Sequence, residues 1–257
     1  MIATVHYIYD GSFNGLLTVL HHDYKDSNHN QYAVKISESN TQETQELFAE
    51  YITIETKERA AEDFARMVSE QLSRRTLIDL YFAYLSRVPE VETLIFQYLK
   101  LGLIDGLPVE KLHAHKTVNA VMKLAQRVSR ERHRMLGFLR FKKLASNIFY
   151  APMEPDYDVL TLVAPHFTRR LADQSWMIHD MKRGKFALYN TKELIYTDQD
   201  LPTAQLPVAR EEQFFQDLWK EYFHNVSIED RKNTKRQQQF LPKKYWKHLT
   251  EKQGPSV

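Results

Sequence analysis

Apolar residues near the N-terminus recur first with a period of two and then with helical spacing. Residues Thr4 to Tyr9 alternate and include β-branched and aromatic side chains, so we predict a strand that enters a turn at Asp10 and Gly11. Ser12 predicts the start of a helix, because a serine side chain caps free amides well. The apolar face of that helix is formed by Phe13, Leu16, Leu17 and Leu20.

A second short strand and an acidic stretch come next. Tyr32 to Ile36 is rich in β-branched and aromatic side chains, which predicts a strand. We interpret the acidic stretch after it as a connector that leads into a helix.

The middle of the chain keeps a helical period. Apolar residues three and four positions apart predict helices over Thr56 to Ser73 and over Leu77 to Leu85. Pro89 predicts the start of another helix, Glu90 to Lys100, and Pro108 the start of a longer one. We therefore predict a helical layer here.

Strand-like alternation returns in the C-terminal half. The side chains from Met135 to Phe141 alternate between two sides, which predicts a strand. The elements predicted after it are a strand at Asn147 to Tyr150, a helix through Val159 to Phe167, a hairpin of Trp176 to Asp180 with Lys185 to Tyr189, and a helix at Glu211 to Phe223. The order strand, strand, helix, strand, strand predicts an antiparallel sheet with a helix on one face.

These elements predict the α+β class, with a helical layer followed by an antiparallel sheet in the C-terminal half. We predict a single unit over residues 1–257. The alternative is a subdivision into a strand-plus-helix part, 1–130, and a basic part that contains the sheet, 131–257.

The absence of cysteine excludes several chemistries. The chain can form no disulfide, no thiolate nucleophile, no iron–sulfur cluster and no cysteine-based zinc site. No apolar run approaches the roughly 20 residues of a membrane helix. The N-terminus, MIATVHYIYDGSF, lacks the basic start and apolar run of a secretory signal. We expect a cytoplasmic protein with no membrane partner, no bound metal and no other cofactor.

The net charge of +2 conceals an uneven distribution of charge along the chain. Glu38 to Asp63 holds eight acids and two bases. The first basic block, Lys123 to Lys143, holds eight bases against Glu131 alone, and the second, Arg231 to Lys247, holds seven bases and no acid. Such asymmetry is typical of proteins that bind polyanions.

Aromatic residues lie inside both basic blocks, in RVSRERHRMLGFLRFKKL and RKNTKRQQQFLPKKYWKHL. Cations pair with phosphates while an exposed aromatic ring stacks on a base, which is how single strands are held. The residues that we predict to bind nucleic acid are Arg130, Arg132, Arg134, Phe138, Arg140, Arg169, Arg170, Arg231, Arg236, Lys243, Lys244 and Trp246. The alternative for the rings is core packing, and we expect one of Phe138 and Phe141 to be buried because they would face opposite sides of a strand.

Histidines next to charged residues suggest an enzymatic alternative. The catalytic candidates are His166, which precedes a pair of arginines, and the neighbours His179 and Asp180. A histidine and a carboxylate can orient each other in a hydrolytic site. However, adjacent strand residues point to opposite faces, so His179 and Asp180 do not simply pair. The sequence has no glycine-rich phosphate loop, no HExxH and no GxSxG.

Four stretches resemble a bacterial family of DNA-metabolism or DNA-repair proteins. They are YIYDGSFNGLL, RERHRMLGFLRF, YAPMEPDYDVLTLVAPHFTRRLADQSWMIHDMKRG and RKNTKRQQQFLPKKYWKHL, and they span nearly the whole chain. The resemblance implies a DNA-related task performed with a radical-SAM protein, beside which such genes typically lie. Related domains of unknown function also precede uracil-DNA-glycosylase-like domains. This chain has no such extension, and without cysteine any radical-SAM cluster must lie on the partner.

We therefore predict an accessory protein that binds DNA or another nucleic acid and leaves the chemistry to a radical-SAM partner. Two alternatives stay open. One is a nuclease or nucleotide hydrolase that uses His166, His179 and Asp180, and the other is a scaffold for protein interactions.

Overall fold

The computed structural model describes residues 3–25, 32–39, 49–199, 201, 206–228 and 233–253. The chain divides into two compact units, 1–129 and 130–257. Both helices and sheets are present, which confirms the α+β class. None of the helices in the described ranges is both long and apolar enough to cross a membrane.

The first unit contains a three-stranded sheet in the order β2-β1-β3, and all of its pairs are parallel. Strand β1 is Ala3–Tyr9 and β2 is Tyr32–Glu38, which confirms the two predicted strands. Strand β3, Ala49–Thr53, was not predicted, and the interpretation of its segment as a connector is wrong. It is an edge strand with no buried residue, so it lacks the apolar pattern that identifies a strand.

Four α-helices precede the long last helix in the described part of the first unit. They are α1, Phe13–Lys25; α2, Glu58–Gln71; α3, Arg74–Tyr84; and α4, Val91–Leu99, which continues as a π-helical turn over Lys100–Ile104. Of these, α1 and α4 pack against the sheet. Ser12 begins α1 as predicted, because its hydroxyl accepts a hydrogen bond from the Gly15 amide at 2.9 Å. Asp10 holds the turn by accepting from the amide and the hydroxyl of Ser12, and Gly11 adopts a φ of 80° there.

The long helix α5, Lys116–Phe138, differs from the prediction at both ends. A short 3-10 turn, Val109–Lys111, follows Pro108, so the helix begins later than predicted. At the other end, the predicted strand over Met135 to Phe141 is wrong. Val128, Met135 and Leu139 are buried, and their spacing of seven and four keeps one helical face inward. Gly137 sits in the last turn of the helix, with open space around it.

The second unit contains a five-stranded sheet in the order β4-β5-β6-β7-β8. The strands are Lys142–Lys143, Phe149–Met153, Trp176–Asp180, Lys185–Tyr189 and Leu194–Thr197. Most neighbours are antiparallel, but β5 and β6 are parallel because helix α6, Leu160–Arg170, crosses between them. The predicted hairpin of β6 and β7 is confirmed, and Gly184 supplies the positive φ of its turn.

Helical segments complete the second unit. Helix α7 is Glu212–Val226 and α8 is Thr234–Phe240, and two 3-10 turns follow at Lys243–His248 and Thr250–Lys252. The predicted helix at Glu211 to Phe223 is thereby confirmed. The segment after α8 contacts β5, and the last turn contacts α7.

Candidate nucleic-acid interface

The side chains of strand β6 point alternately to the two faces of the second sheet. Trp176 points toward α6, where its ring lies 6.5 Å from that of Phe167 and 6.2 Å from that of Phe141. Phe141 therefore packs against core aromatics. Because strand residues alternate, Met177 and His179 point to the other face.

Several predicted binding residues of the first basic block contact other parts of the chain. Arg132 Nε donates to the carbonyl oxygen of Leu162 at 3.2 Å. The ring of Phe138 is half-buried and lies 5.4 Å from that of Tyr245. Arg130 is exposed and Arg134 half-buried. The end of α5 is thus mainly a packing surface for the C-terminal segment.

Arg140 forms a two-pronged ion pair. Its Nη2 donates to Glu251 Oε1 at 2.7 Å and its Nε to Oε2 at 3.2 Å, while Nη1 donates to the Gly137 carbonyl. Burial acts to raise the pKa of Glu251, but hydrogen bonds, chiefly from Arg140, outweigh it, and the pKa lies below its ordinary value. Glu251 also accepts from Trp219 Nε1 at 3.0 Å. Arg140 is committed to this contact.

The second basic block is neutralised in the same way over its C-terminal part. Lys244 pairs with Asp156 and lies 3.9 Å from Glu131. Lys247 donates to Glu154 at 2.6 Å. Trp246 is half-buried and donates its indole NH to the Leu241 carbonyl at 3.0 Å. Glu154 and Asp156 lie in the segment after β5 and Glu131 lies on α5, so the charge count along the sequence could not reveal these pairs.

Glu131 is the buried centre of this contact. It is 3% exposed, and its carboxylate accepts from the amides of Asp156 at 2.8 Å and Tyr157 at 2.7 Å and from the Tyr245 hydroxyl at 2.6 Å. Burial, followed by the hydrogen bond to Glu131, raises the pKa of Tyr245. The single acid of the first basic block therefore anchors the second one.

Helix α7 presents its apolar residues to the outside. Glu212 is its one buried residue in the described part of the chain. The exposed apolar side chains on α7 are Phe214, Phe215, Leu218, Trp219, Tyr222, Phe223 and Val226. Exposed apolar patches of this kind are typical of binding surfaces.

An open groove of about 920 Å³ lies beside this helix. Phe223 and Lys220 of α7, Arg236 and Phe240 of α8, and Lys252 contribute to its lining. Phe240 is 64% exposed. Asn233 begins α8, because its side chain accepts a hydrogen bond from the Arg236 amide at 2.9 Å. Both residues line the groove.

Among the described residues, three lysine or arginine side chains and one carboxylate line the groove. The carboxylate, Glu251, is already paired with Arg140. The Lys252 ammonium lies 5.4 Å from the centre of the Phe223 ring and 4.9 Å from that of Trp246. The groove therefore combines a positive charge with accessible aromatic rings.

The remaining predicted binding residues are dispersed. Arg169 and Arg170 are exposed at the C-terminal end of α6, where a positive charge suits the helix dipole, and form no ion pair within the ranges described. Lys243 is exposed after α8. Arg231 lies outside the described residues. Of the predicted set, Arg236 alone in the described part of the chain lines the groove.

The catalytic candidates do not form one constellation. His179 Nδ1 shares a 3.0 Å hydrogen bond with the Tyr150 hydroxyl, and its ring stacks on Phe186 at 4.0 Å. Asp180 points to the opposite face, is fully buried, and accepts from Arg183 at 2.9 Å. Burial raises the pKa of Asp180 above its ordinary value, although Arg183 opposes this. His166 lies on α6, across the sheet from His179.

Over the described residues, no group of three or more histidine, aspartate and glutamate side chains is arranged to hold a metal ion.

Lys220, Phe223 and Lys252 line the groove but were not among the predicted binding residues. The spacing of aromatic residues on α7 is equally consistent with a core face. Lys252 lies just beyond the second basic block. Only the placement of α7 beside α8 brings these side chains to one surface.

A family model described as a domain of unknown function, DUF4130, matches residues 89–251. This range includes the groove except for its last residues, together with both basic blocks. No curated protein and no solved structure matches the chain.

Proposed function

The chain belongs to the DUF4130 family, a domain of unknown function, and on that premise we propose that it binds single-stranded nucleic acid in the groove between α7 and α8. The observation that carries the proposal is the position of Phe240 and Phe223 beside Arg236, Lys220 and Lys252 in one open groove.

The chemistry of the groove fits a single strand. Bases stack on accessible aromatic rings, and cations contact the phosphates between them. A duplex keeps its bases stacked inside, so it gains nothing from Phe240. The groove is therefore expected to prefer single strands.

The finer part of the proposal concerns the biological context. The resemblance of the sequence motifs favours DNA as the nucleic acid and a radical-SAM protein as the partner that performs the reaction. The protein then holds the strand as an accessory factor in DNA metabolism. The separation of His166, His179 and Asp180 supports this choice over a hydrolase.

A second candidate function is protein docking. Phe214, Phe215, Leu218 and Tyr222 are exposed on α7 but do not line the groove. A partner protein that covers this face would bury a large aromatic surface. Docking and strand binding use different residues of α7, so one set of variants separates them.

The test compares Phe240→Ala with Phe214→Ala. Both rings are similarly exposed, at 64% and 65%, but only Phe240 lines the groove. Fluorescence anisotropy with a labelled single-stranded oligonucleotide should show that Phe240→Ala weakens binding by about 1–3 kcal/mol, the worth of one stacked base. Phe214→Ala should bind like the unaltered protein. Equal losses in both variants, or no binding at low salt, would refute strand binding in the groove.

A further inference from the structure

A second charged cavity lies in the first unit, and we infer that it binds a phosphate group, supplied either by a free nucleotide or by the terminal phosphate of a nucleic-acid strand. The cavity lies between α1 and the connection from β3 to α2, and its volume is about 550 Å³. That volume is within the range of small-molecule sites. The proposal goes beyond strand binding, because the groove belongs to the other unit.

Basic side chains enter the cavity from two elements. Helix α1 contributes His21, His22 and Lys25, and the β3–α2 connection contributes Lys57. Glu55 is the one carboxylate among its described lining residues. In the described part of the chain none of the four basic groups forms an ion pair. Among the described lining residues, an anion would therefore meet two ammonium groups and two imidazoles against the single carboxylate of Glu55.

His21 lies beside an aromatic ring and within reach of the charge of Lys25. Its ring contacts Phe64, with the centroids 6.0 Å apart. Burial, followed by the charge of Lys25, lowers the pKa of His21, although Asp63 opposes the shift. A bound phosphate would offset the repulsion between His21 and Lys25. Binding would therefore be coupled to proton uptake by the imidazole.

The beginning of α2 borders the cavity. Lys57 precedes the helix and provides no side-chain cap, and Ala60 of the first turn lines the cavity. Amides of a first helical turn favour an anion when no side chain caps them. Thr18 fixes the position of the helix start, because its hydroxyl accepts from the Lys57 amide at 3.2 Å. The cavity is thus built from packed elements as well as from surface lysines.

The experiment measures phosphate binding by the full chain and by a double variant, His22→Gln with Lys57→Gln. Both side chains are exposed, so the fold should survive, and circular dichroism melting checks this. The matched control is His113→Gln with Lys123→Gln, an exposed pair in the same unit outside the cavity. The probes are inorganic phosphate, a nucleoside 5′-monophosphate, and one oligonucleotide with either a 5′-phosphate or a 5′-hydroxyl.

Isothermal titration calorimetry should show that the double variant binds the phosphate probes about tenfold or more weakly, as expected for lost charge-assisted contacts. The control variant should bind like the unaltered protein. Tight binding of the monophosphate identifies a free nucleotide as the source. If the unaltered protein binds the 5′-phosphorylated oligonucleotide more tightly than the 5′-hydroxyl one, and the double variant does not, the strand end is the source.

The proposal fails if no probe binds in a phosphate-dependent manner, or if the double variant and the control lose affinity equally. Failure of strand binding gives a different result. Phe240→Ala would then leave oligonucleotide binding unchanged, while the monophosphate would still distinguish the double variant from the unaltered protein.

Discussion

Two regions of the second unit take cations from the same basic block, Arg231 to Lys247, but these cations differ in their surroundings. One region is the contact between the end of α5 and the C-terminal segment, and the other is the groove beside α8. In the first region, Arg140, Lys244 and Lys247 pair with carboxylates. In the groove, Arg236 is exposed and forms no ion pair with the described residues. A phosphate must compete with a carboxylate for the cations of the first region, but in the described part of the chain it meets no such competitor at Arg236.

The net charge of a segment therefore does not measure the charge that the segment offers to a ligand. The acids that neutralise the contact region are supplied by other parts of the chain, such as Glu154 and Glu251. Paired cations stabilise the fold, and unpaired cations remain available for binding. Each region should therefore respond to substitution in its own way.

The largest expected effect is on stability, from Glu131→Ala. The change leaves two backbone amides and the Tyr245 hydroxyl without their acceptor. We expect the free energy of unfolding to fall by about 3 kcal/mol, because unsatisfied buried donors are costly. Urea denaturation followed by circular dichroism measures this.

Glu211→Ala is the matched control for that substitution. Glu211 pairs with Lys143 at 3.1 Å but is exposed. An exposed pair of this kind contributes little to stability, because solvent screens its charges. If both variants were equally stable, Glu131 would not anchor the contact region.

Arg140→Ala should lower the free energy of unfolding by about 2 kcal/mol, since it strands a buried carboxylate but removes a cation that keeps some exposure. Arg169→Ala, at the exposed end of α6, should stay within about 0.5 kcal/mol of the unaltered protein. The same denaturation experiment compares them. If Arg140→Ala were as stable as the unaltered protein but bound single strands more weakly, Arg140 would belong to the binding surface.

Most helices and strands could be predicted from the sequence. The ion pairs that decide which cations are available for binding could not. Alternation in Ala3–Tyr9 and helical spacing in α1 are local signals, and both elements were found. The error at Met135 to Phe141 arose because this helix end is apolar on two sides, where a packed C-terminal segment covers it. A period of two and a wide helical face cannot be distinguished over seven residues.

The candidate site was only partly predictable for a related reason. Arg236 lies in the basic run from which binding residues were predicted, whereas Lys252 and Phe223 reach the groove through tertiary packing. Conversely, Arg140 and Lys244 carry the same local signature as Arg236, and their partners lie 111 and 88 residues away in sequence. Long-range ion pairs leave no trace in a local charge count.

Strand binding offers a smaller effect that separates the two regions directly. Arg236→Ala should weaken binding of a single-stranded oligonucleotide by about 1 kcal/mol, as one charged contact is lost. It should also reduce the slope of log K against log salt by about 0.7. Lys244→Ala removes a paired cation and should change neither quantity. Anisotropy titrations at several salt concentrations measure both, and an equal loss in Lys244→Ala would show that ion pairing does not decide availability.

The smallest expected effect concerns the pH dependence of the Arg140–Glu251 pair. Because the pKa of Glu251 in the folded protein is below its ordinary value, the native state binds its proton less readily than the unfolded chain does. The stability from this pair is therefore present above the unfolded pKa of about 4.3 and is lost as the pH falls through the folded pKa. Urea denaturation of the unaltered protein and Arg140→Gln, from neutral pH downward, should show a stability difference that narrows in acid. Other titrating groups are common to both proteins and cancel in that difference. A gap that stays constant with pH would mean that Arg140 stabilises the protein by packing against Trp219, whose ring centre lies 5.6 Å from its guanidinium carbon, and not through charge.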